Sequence, residues 1–231
     1  MNNPKKRIPK TAVLLFAQSE EVESALKPIA YSAKQNVLLW KKMNSRVLKT
    51  IQKTKLPYFT SNETNQVGAH FGDKLNHAIE GLFEKGFEKV IVVGNDCIAL
   101  KPKHLIQAMQ ELQSNSLVLG ADYSGGAYLI GVNKKHFDAN NFKNLAWQTN
   151  RVFADLQDLY QNQPISFLPS LNDFNTEAAF KKALEALSFS EVIRNVLLSF
   201  LKNCIDTFDL QVSFSSNTHP FSYYNKGSPV R

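Results

Sequence analysis

Val90-Ile91-Val92-Val93-Gly94-Asn95-Asp96 runs an apolar, β-branched segment straight into a carboxylate. A strand that ends on an acid is where an open α/β sheet sets metal ligands or catalytic groups, because ligands bind beyond the carboxyl ends of its strands. The same acid would serve equally to cap the next helix. A second carboxylate, Asp122, closes a later apolar run and is followed by Tyr123, Ser124, Gly125 and Gly126. Paired glycines let a backbone approach a ligand or bend sharply. Asp96 and Asp122 together have the chemistry to hold Mg²⁺ or Mn²⁺ against a diphosphate, since such ions take oxygen ligands and need only one or two protein carboxylates. The plainer alternative is two unrelated loop acids.

A third segment, Gln66-Val67-Gly68-Ala69-His70-Phe71-Gly72-Asp73-Lys74, precedes a helical pattern. Its glycines and the helix N-terminus are suited to a phosphate or a base. Asp73 fits a purely structural role at that terminus just as well. Other chemistries leave no trace. There is no Walker-type loop, no G-x-G-x-x-G, no H-E-x-x-H and no G-x-S-x-G. His77 falls within a helical pattern, where surface or core packing is its expected use. Two cysteines, Cys97 and Cys204, are too few for a disulfide framework or a cysteine-based zinc site, which favours a reducing compartment.

The elements that must position these residues follow from periodicity. Thr11–Ala17 reads as a buried strand, although Lys5–Lys10 before it imitates the basic region of a secretory signal. Leu39, Met43, Val47 and Ile51 repeat every four residues and predict an amphipathic helix whose other face carries lysines. Leu56–Thr60 predicts a short strand. Phe71, Leu75, Ala78, Ile79, Leu82 and Phe83 predict a helix that Gly86 ends. Val90–Val93 is a central strand, and Pro102 opens a helix through Leu105, Ile106, Met109 and Leu112. Leu117–Leu119 and Tyr128–Val132 are further strands. Val152–Tyr160 predicts a helix, Ile165–Leu168 a strand and Thr176–Leu187 a helix. Ser188 and Glu191 have capping-box spacing before a final helix with an apolar stripe from Ile193 to Ile205. That stripe is expected to pack on its own domain, and it also offers a dimer surface. Leu210–Phe214 is a candidate edge strand. Strands alternating with helices imply a Rossmann-like, three-layer α/β fold with a mostly parallel sheet.

Composition narrows the partners. The chain has 231 residues and is 43% hydrophobic, enough to bury a core without disulfides or a structural metal. No apolar run is long enough for a membrane-spanning helix. The net charge of +7 is concentrated: residues 1–62 hold twelve Lys/Arg against three Glu, and the remainder is slightly acidic. Such a patch attracts phosphate-bearing ligands, nucleic acid or anionic surfaces, although a solvated helix face is the simplest account.

Five segments in order carry a resemblance to a known family. Gln66-x-Gly68-x-x-Phe71-Gly72-Asp73-Lys74-Leu75 resembles a QGxxxGER-type segment, and Val93-Gly94-Asn95-Asp96-Cys97 an "IGTDCP" strand end. Residues 119–131 resemble "LGPAxDGGYYLIG", Leu145-Ala146-Trp147-Gln148-Thr149 resembles "LPWST", and residues 168–176 resemble "LPxLxDIDT". The family is the glycosyltransferase-A-like domain-of-unknown-function family 2064, whose members are often labelled arsenosugar-biosynthesis-type glycosyltransferases. The resemblance spans residues 11–187. It implies a nucleotide-diphospho-sugar transferase domain over 1–187, with 188–231 as a C-terminal helix and tail. It implies metal-dependent glycosyl or nucleotidyl transfer in the cytoplasm from a nucleotide or nucleotide sugar to an unidentified acceptor, with nucleic acid disfavoured as a partner.

In that scheme Asp96 and Asp122 hold Mg²⁺ or Mn²⁺, and Asp173 and Asp122 are the catalytic acids, Asp173 on the acceptor side. Gln66, Gly68, Gly72, Asp73, Lys74, Asn95, Ser124, Gly125, Gly126 and Lys27 border the nucleotide. Three departures point instead to a degenerate, non-catalytic nucleotide-binding member. The family's first strand usually leads into a basic segment, whereas Ser19-Glu20-Glu21-Val22-Glu23 is acidic and leaves only Lys27. The Asp of "DGG" is Ser124, with Asp122 two residues earlier as a substitute if the segment is extended. The second Asp of "DIDT" is Asn175.

Overall fold

The computed structural model describes residues 10–174, 177–185, 187–188 and 192–201. The chain's most apolar, β-branched segments form the middle of one six-stranded sheet. β1 (Thr11–Phe16) and β3 (Lys89–Val93) are buried along their whole length. They are flanked by β2 (Tyr58–Ser61), β4 (Leu117–Asp122), β5 (Ala127–Asn133) and β6 (Ile165–Leu171). The order is β2-β1-β3-β5-β4-β6. β5 is antiparallel to both of its neighbours, and every other pairing is parallel. The sheet is therefore mostly parallel.

Burial on both faces follows the two-residue period of a strand. Ala12, Leu14, Phe16, Val90 and Val92 face one core, while Val13, Leu15, Ile91 and Val93 face the other. The first core is closed by α3 (Phe71–Glu84), α5 (Ala139–Lys143) and α6 (Val152–Leu159) through Leu75, Ile79, Phe142 and Leu156. The second is closed by α2 (Ala33–Gln52) and α4 (Pro102–Glu111) through Val47, Ile51, Leu105 and Ala108. Helices on both faces of one sheet make the three-layer α/β/α arrangement.

The stripe Leu39, Met43, Val47 and Ile51 is at most 1% exposed, as its spacing predicts. The first half of α2 reaches past the sheet. There Leu39, Trp40 and Met43 build a third cluster with Phe174, with Phe180 of α7 (Glu177–Glu185) and with Leu197 of α8 (Val192–Ser199). The described stretch of the final helix thus packs on its own domain. No helix among the described residues is long and apolar enough to cross a membrane.

Ser19-Glu20-Glu21 opens a short helix, α1 (Glu20–Leu26), in which the Ser19 hydroxyl accepts the Val22 N–H. The first loop is therefore helical as well as acidic. The final helix ends at Ser199, earlier than the apolar stripe suggests. Asn175, Thr176 and the capping-box Glu191 lie outside the described residues, as do Cys204, Ile205, the candidate strand Leu210–Phe214 and the tail.

Candidate active site

The order of strands reverses between β1, which leads outward to β2, and β3, which leads to the other half of the sheet. A crevice opens at such a point beyond the strand ends. Here it is a cavity of about 580 Å³, walled by Ala17 and Gln18 after β1, Gly94, Asn95 and Asp96 after β3, and Asp122 at the end of β4. Glu23 and Lys27 of the first loop, Gln66, Trp147 and Asp173 complete it.

Two acidic groups sit on this wall. In the first, the Lys27 ammonium donates to Asp96 Oδ2 at 3.0 Å and lies 3.5 Å from Glu23 Oε2. Burial opposes the charge on Lys27, but Asp96 and then Glu23 outweigh it and hold its pKa above the ordinary value. The ammonium also lies over the Trp40 ring, 5.3 Å from its centroid. In the second, Asp173 stands beside Asp122 on the wall, close enough for the two carboxyls to act on each other. Burial, then Asp96 and Asp122, push the Asp173 carboxyl up from 3.8 to about 7. No lysine or arginine forms an ion pair with Asp122 or Asp173 among the described residues.

This pairing differs from the expected sharing of one ion by Asp96 and Asp122. Asp96 meets Lys27, and Asp122 meets Asp173. The premise that residues 122–124 are extended also fails. They enter a tight turn in which Asp122 Oδ1 accepts the N–H groups of Ser124 at 2.6 Å and Gly126 at 2.9 Å. Asp122 therefore faces the cavity from a turn rather than from an extended segment. No group of three or more His, Cys, Asp or Glu residues able to hold a metal occurs among the described residues.

The other predicted residues divide between cavity and scaffold. Gln66 and Ser124 are on the wall, and so is Gly126, where a Cβ would collide with Asp122. Asn95 is 2% exposed, lines the cavity and donates to Asn44 Oδ1 of α2 at 2.8 Å, which fixes the loop after β3. Gln66 is oriented by a relay: its amide N–H donates to the Ser61 carbonyl at 3.3 Å, so its oxygen accepts from Gln18 at 3.3 Å.

Gly68, Gly72, Asp73 and Lys74 are not on the wall. Asp73 caps α3 by accepting the His70 N–H at 3.2 Å. Gly68 has φ 136 and packs against Asp73. Gly72 packs against the Lys143 carbonyl and Trp147. Gly125 has φ 90 and packs against the Asn150 carbonyl. His77 is exposed on α3. Cys97 is buried, and burial followed by Asp96 pushes its thiol pKa far up, so it is not a ready nucleophile.

Sequence reasoning passed over Glu23, Gln18 and Asn150 as site residues. The only signal for Glu23 was the acidic first loop, and for Asn150 its place just after the Trp147-Gln148-Thr149 segment.

Comparison with known proteins identifies the family and the fold. The profile of the family described as "Uncharacterized protein conserved in bacteria (DUF2064)" matches residues 30–149. A crystal structure of a "putative nucleotide-diphospho-sugar transferase" from Desulfovibrio desulfuricans G20 superposes with a TM-score of 0.71 at 18% identity, covering 82% of this chain and 94% of that one. Rv0371c from Mycobacterium tuberculosis H37Rv, in complex with manganese, gives a TM-score of 0.44 at 9% identity, covering 78% of this chain and 100% of that one. CMP:2-keto-3-deoxy-manno-octonic acid synthetase complexed with CTP gives 0.42 at 10%, covering 84% and 100%. No curated protein matches. The fold is that of the nucleotide-diphospho-sugar transferases.

Proposed function

We propose that this chain, which belongs to the bacterial domain-of-unknown-function family 2064, is a metal-dependent transferase that takes a nucleotide-activated glycosyl donor into the cavity beyond β1, β3 and β4. The observation that carries this reading is the placing of Asp122 and Asp173 together on the cavity wall, at the ligand-binding edge of this fold, with no ion-paired lysine or arginine among the described residues.

The charge balance supports it. Among the described residues, Glu23, Asp96, Asp122 and Asp173 face a single cation, Lys27, across the cavity. A bare diphosphate would be repelled there, and one carried by a divalent ion would not. Asp122 and Asp173 suit that ion, because they offer oxygen donors and Mg²⁺ or Mn²⁺ takes one or two protein carboxylates alongside substrate phosphates. Asp96 suits it less, since Lys27 already holds its Oδ2. When bound, the ion would supply the positive charge that stabilises the leaving phosphate.

The protein's own groups have distinct tasks. Lys27 offsets one of the two charges of Asp96 and Glu23 and so lessens what the floor of the cavity adds to the repulsion. The backbone N–H groups of Ser124 and Gly126 pin one oxygen of Asp122, so its carboxylate is oriented before a ligand arrives. Phe71 and Trp147, with ring centroids 5.5 Å apart, give an apolar side that excludes water.

The second reading, a nucleotide-binding member without turnover, is favoured by the Lys27–Asp96 pair, which occupies a carboxylate that the family resemblance assigns to the ion. Calorimetric titration of nucleotides and nucleotide sugars, with Mn²⁺ or with a chelator, tests both. Binding that needs Mn²⁺ and is lost in Asp122→Ala is expected. Equal binding with the chelator and in Asp122→Ala would remove the metal from the scheme, and no binding across the panel would overturn the reading. Turnover of a bound donor separates enzyme from binder. Release of a nucleoside diphosphate marks glycosyl transfer, and release of pyrophosphate from a triphosphate marks nucleotidyl transfer.

A further inference from the structure

The cavity has a second wall of different chemistry. Trp147, Gln148, Thr149 and Asn150 line it, and none of them is charged. Gln148 has φ 62, in the left-handed region that a residue with a side chain enters at a cost. Backbone of this kind persists where its surroundings over-determine it.

Here they do. The Trp147 indole N–H donates to the Phe142 carbonyl at 2.9 Å, the Thr149 hydroxyl donates to the Ala146 carbonyl at 2.6 Å, and the Arg151 N–H donates to the Thr149 hydroxyl at 3.2 Å. Gly72 of α3 admits the Lys143 carbonyl and Trp147, and Gly125 of the β4–β5 turn admits the Asn150 carbonyl. Two glycines on separate elements thus clamp the loop from either side, because any side chain there would collide with it.

The clamped loop presents unused hydrogen-bonding groups. The carboxamides of Gln148 and Asn150 bond to no other described residue. Each offers donors and an acceptor without charge. That suits hydroxyl groups, which both give and take hydrogen bonds, and a neighbouring indole suits the apolar face of a ring. It does not suit a phosphate, for which the only cation on the wall is Lys27, already shared by two carboxylates.

We propose that Gln148 and Asn150 form a subsite for a neutral polyhydroxylated group, either the glycosyl part of the donor or a sugar or polyol acceptor; this rests on the transferase reading for its place in a reaction, but not for its binding chemistry. Gln148 is then retained at an unfavourable φ because its side chain reads the ligand.

The test uses the full chain, with Gln148→Gly, which relaxes the backbone as it removes the carboxamide, and Asn150→Ala. Calorimetric titrations compare UDP, GDP, ADP, CDP and dTDP with their glucose conjugates in Mn²⁺. They also compare free glucose, galactose, mannose and glycerol, with and without the tightest nucleotide. The expected result is a sugar-dependent gain in the native chain that falls about three- to tenfold in Gln148→Gly. Affinity for the nucleotide alone is expected to be unchanged and Tm not lowered. A loss confined to the conjugates identifies the donor's glycosyl group, and a loss confined to the free sugars identifies an acceptor. Native-like sugar binding in both variants would overturn the proposal, as would a native chain that gains nothing from a sugar in any form. Failure of every nucleotide to bind would sink the transferase reading alone, because the free-sugar titrations would still decide this one.

Discussion

The two acidic groups of the cavity are built from the same residue types and meet different fates. Asp96 and Glu23 share Lys27, whose ammonium stands 3.0 Å and 3.5 Å from them. Asp122 and Asp173 have no lysine or arginine paired with them among the described residues, and burial, then Asp96, then Asp122 raise Asp173 to about 7. A carboxylate pair without a cation is an incomplete arrangement that a proton or a metal ion completes. A pair with a lysine is already complete. Under the proposed function an incoming ion would therefore go to the second group, whereas the sequence reading gave it Asp96 and Asp122.

The strongest way to break this comparison is to exchange the roles of its two sides. Asp173→Asn or Asp122→Ala is expected to lower Mn²⁺ affinity about 10- to 100-fold, as loss of one ligand from a two-carboxylate site should. Asp96→Asn is expected to change it far less. Titration with Mn²⁺ alone reads both, and equal losses on the two sides would show that one ion spans all three acids.

Next in size is Lys27→Met. It leaves Glu23 and Asp96 without their cation at side-chain exposures of 7% and 22%. Partial exposure reduces the penalty, so a loss of about 1–3 kcal/mol is expected, measurable by urea denaturation. Added Mn²⁺ should recover part of it by taking the place that the ammonium vacates. Undiminished stability in Lys27→Met would mean that the first group is solvated rather than compensated.

A further effect is the pH dependence of the metal-free protein. Asp173 is raised in the folded state, so the folded form binds more protons than the unfolded one between about pH 4 and 7. Its contribution to stability is present below that window and is lost as pH rises through about 7. Tm is expected to fall across the window and to fall less in Asp173→Asn. Mn²⁺ competes with the same proton, so it should stabilise more at pH 8 than at pH 5. A flat difference between native and Asp173→Asn profiles would remove the strain from the second group.

Much of the fold was legible because burial imposes periodicity. The apolar runs Thr11–Ala17 and Val90–Val93 read as buried strands and form β1 and β3, and the four-residue repeat from Leu39 to Ile51 reads as the helix face that α2 buries. Asp96 and Asp122 were legible as candidates because each follows an apolar run, and Asp173 through the family resemblance. The roles of glycines were not. Gly72 and Gly125 look like ligand-facing residues in one dimension, since a ligand and a neighbouring loop make the same demand for absent side chains. Only the position of the 143–150 segment shows that they receive protein backbone.

The sequence by itself determined the elements, their order and the acids at the strand ends, because hydrophobic spacing and turn residues act over a few neighbouring positions. It also determined family membership through motifs read along the chain. Tertiary structure alone decided which charges meet. Lys27 reaches Asp96 and Asp122 reaches Asp173 because the strand order sets β3 beside β1 and β6 beside β4. Whether a carboxylate seeks a metal depends on the charge a few ångströms away, and that neighbour is supplied by folding.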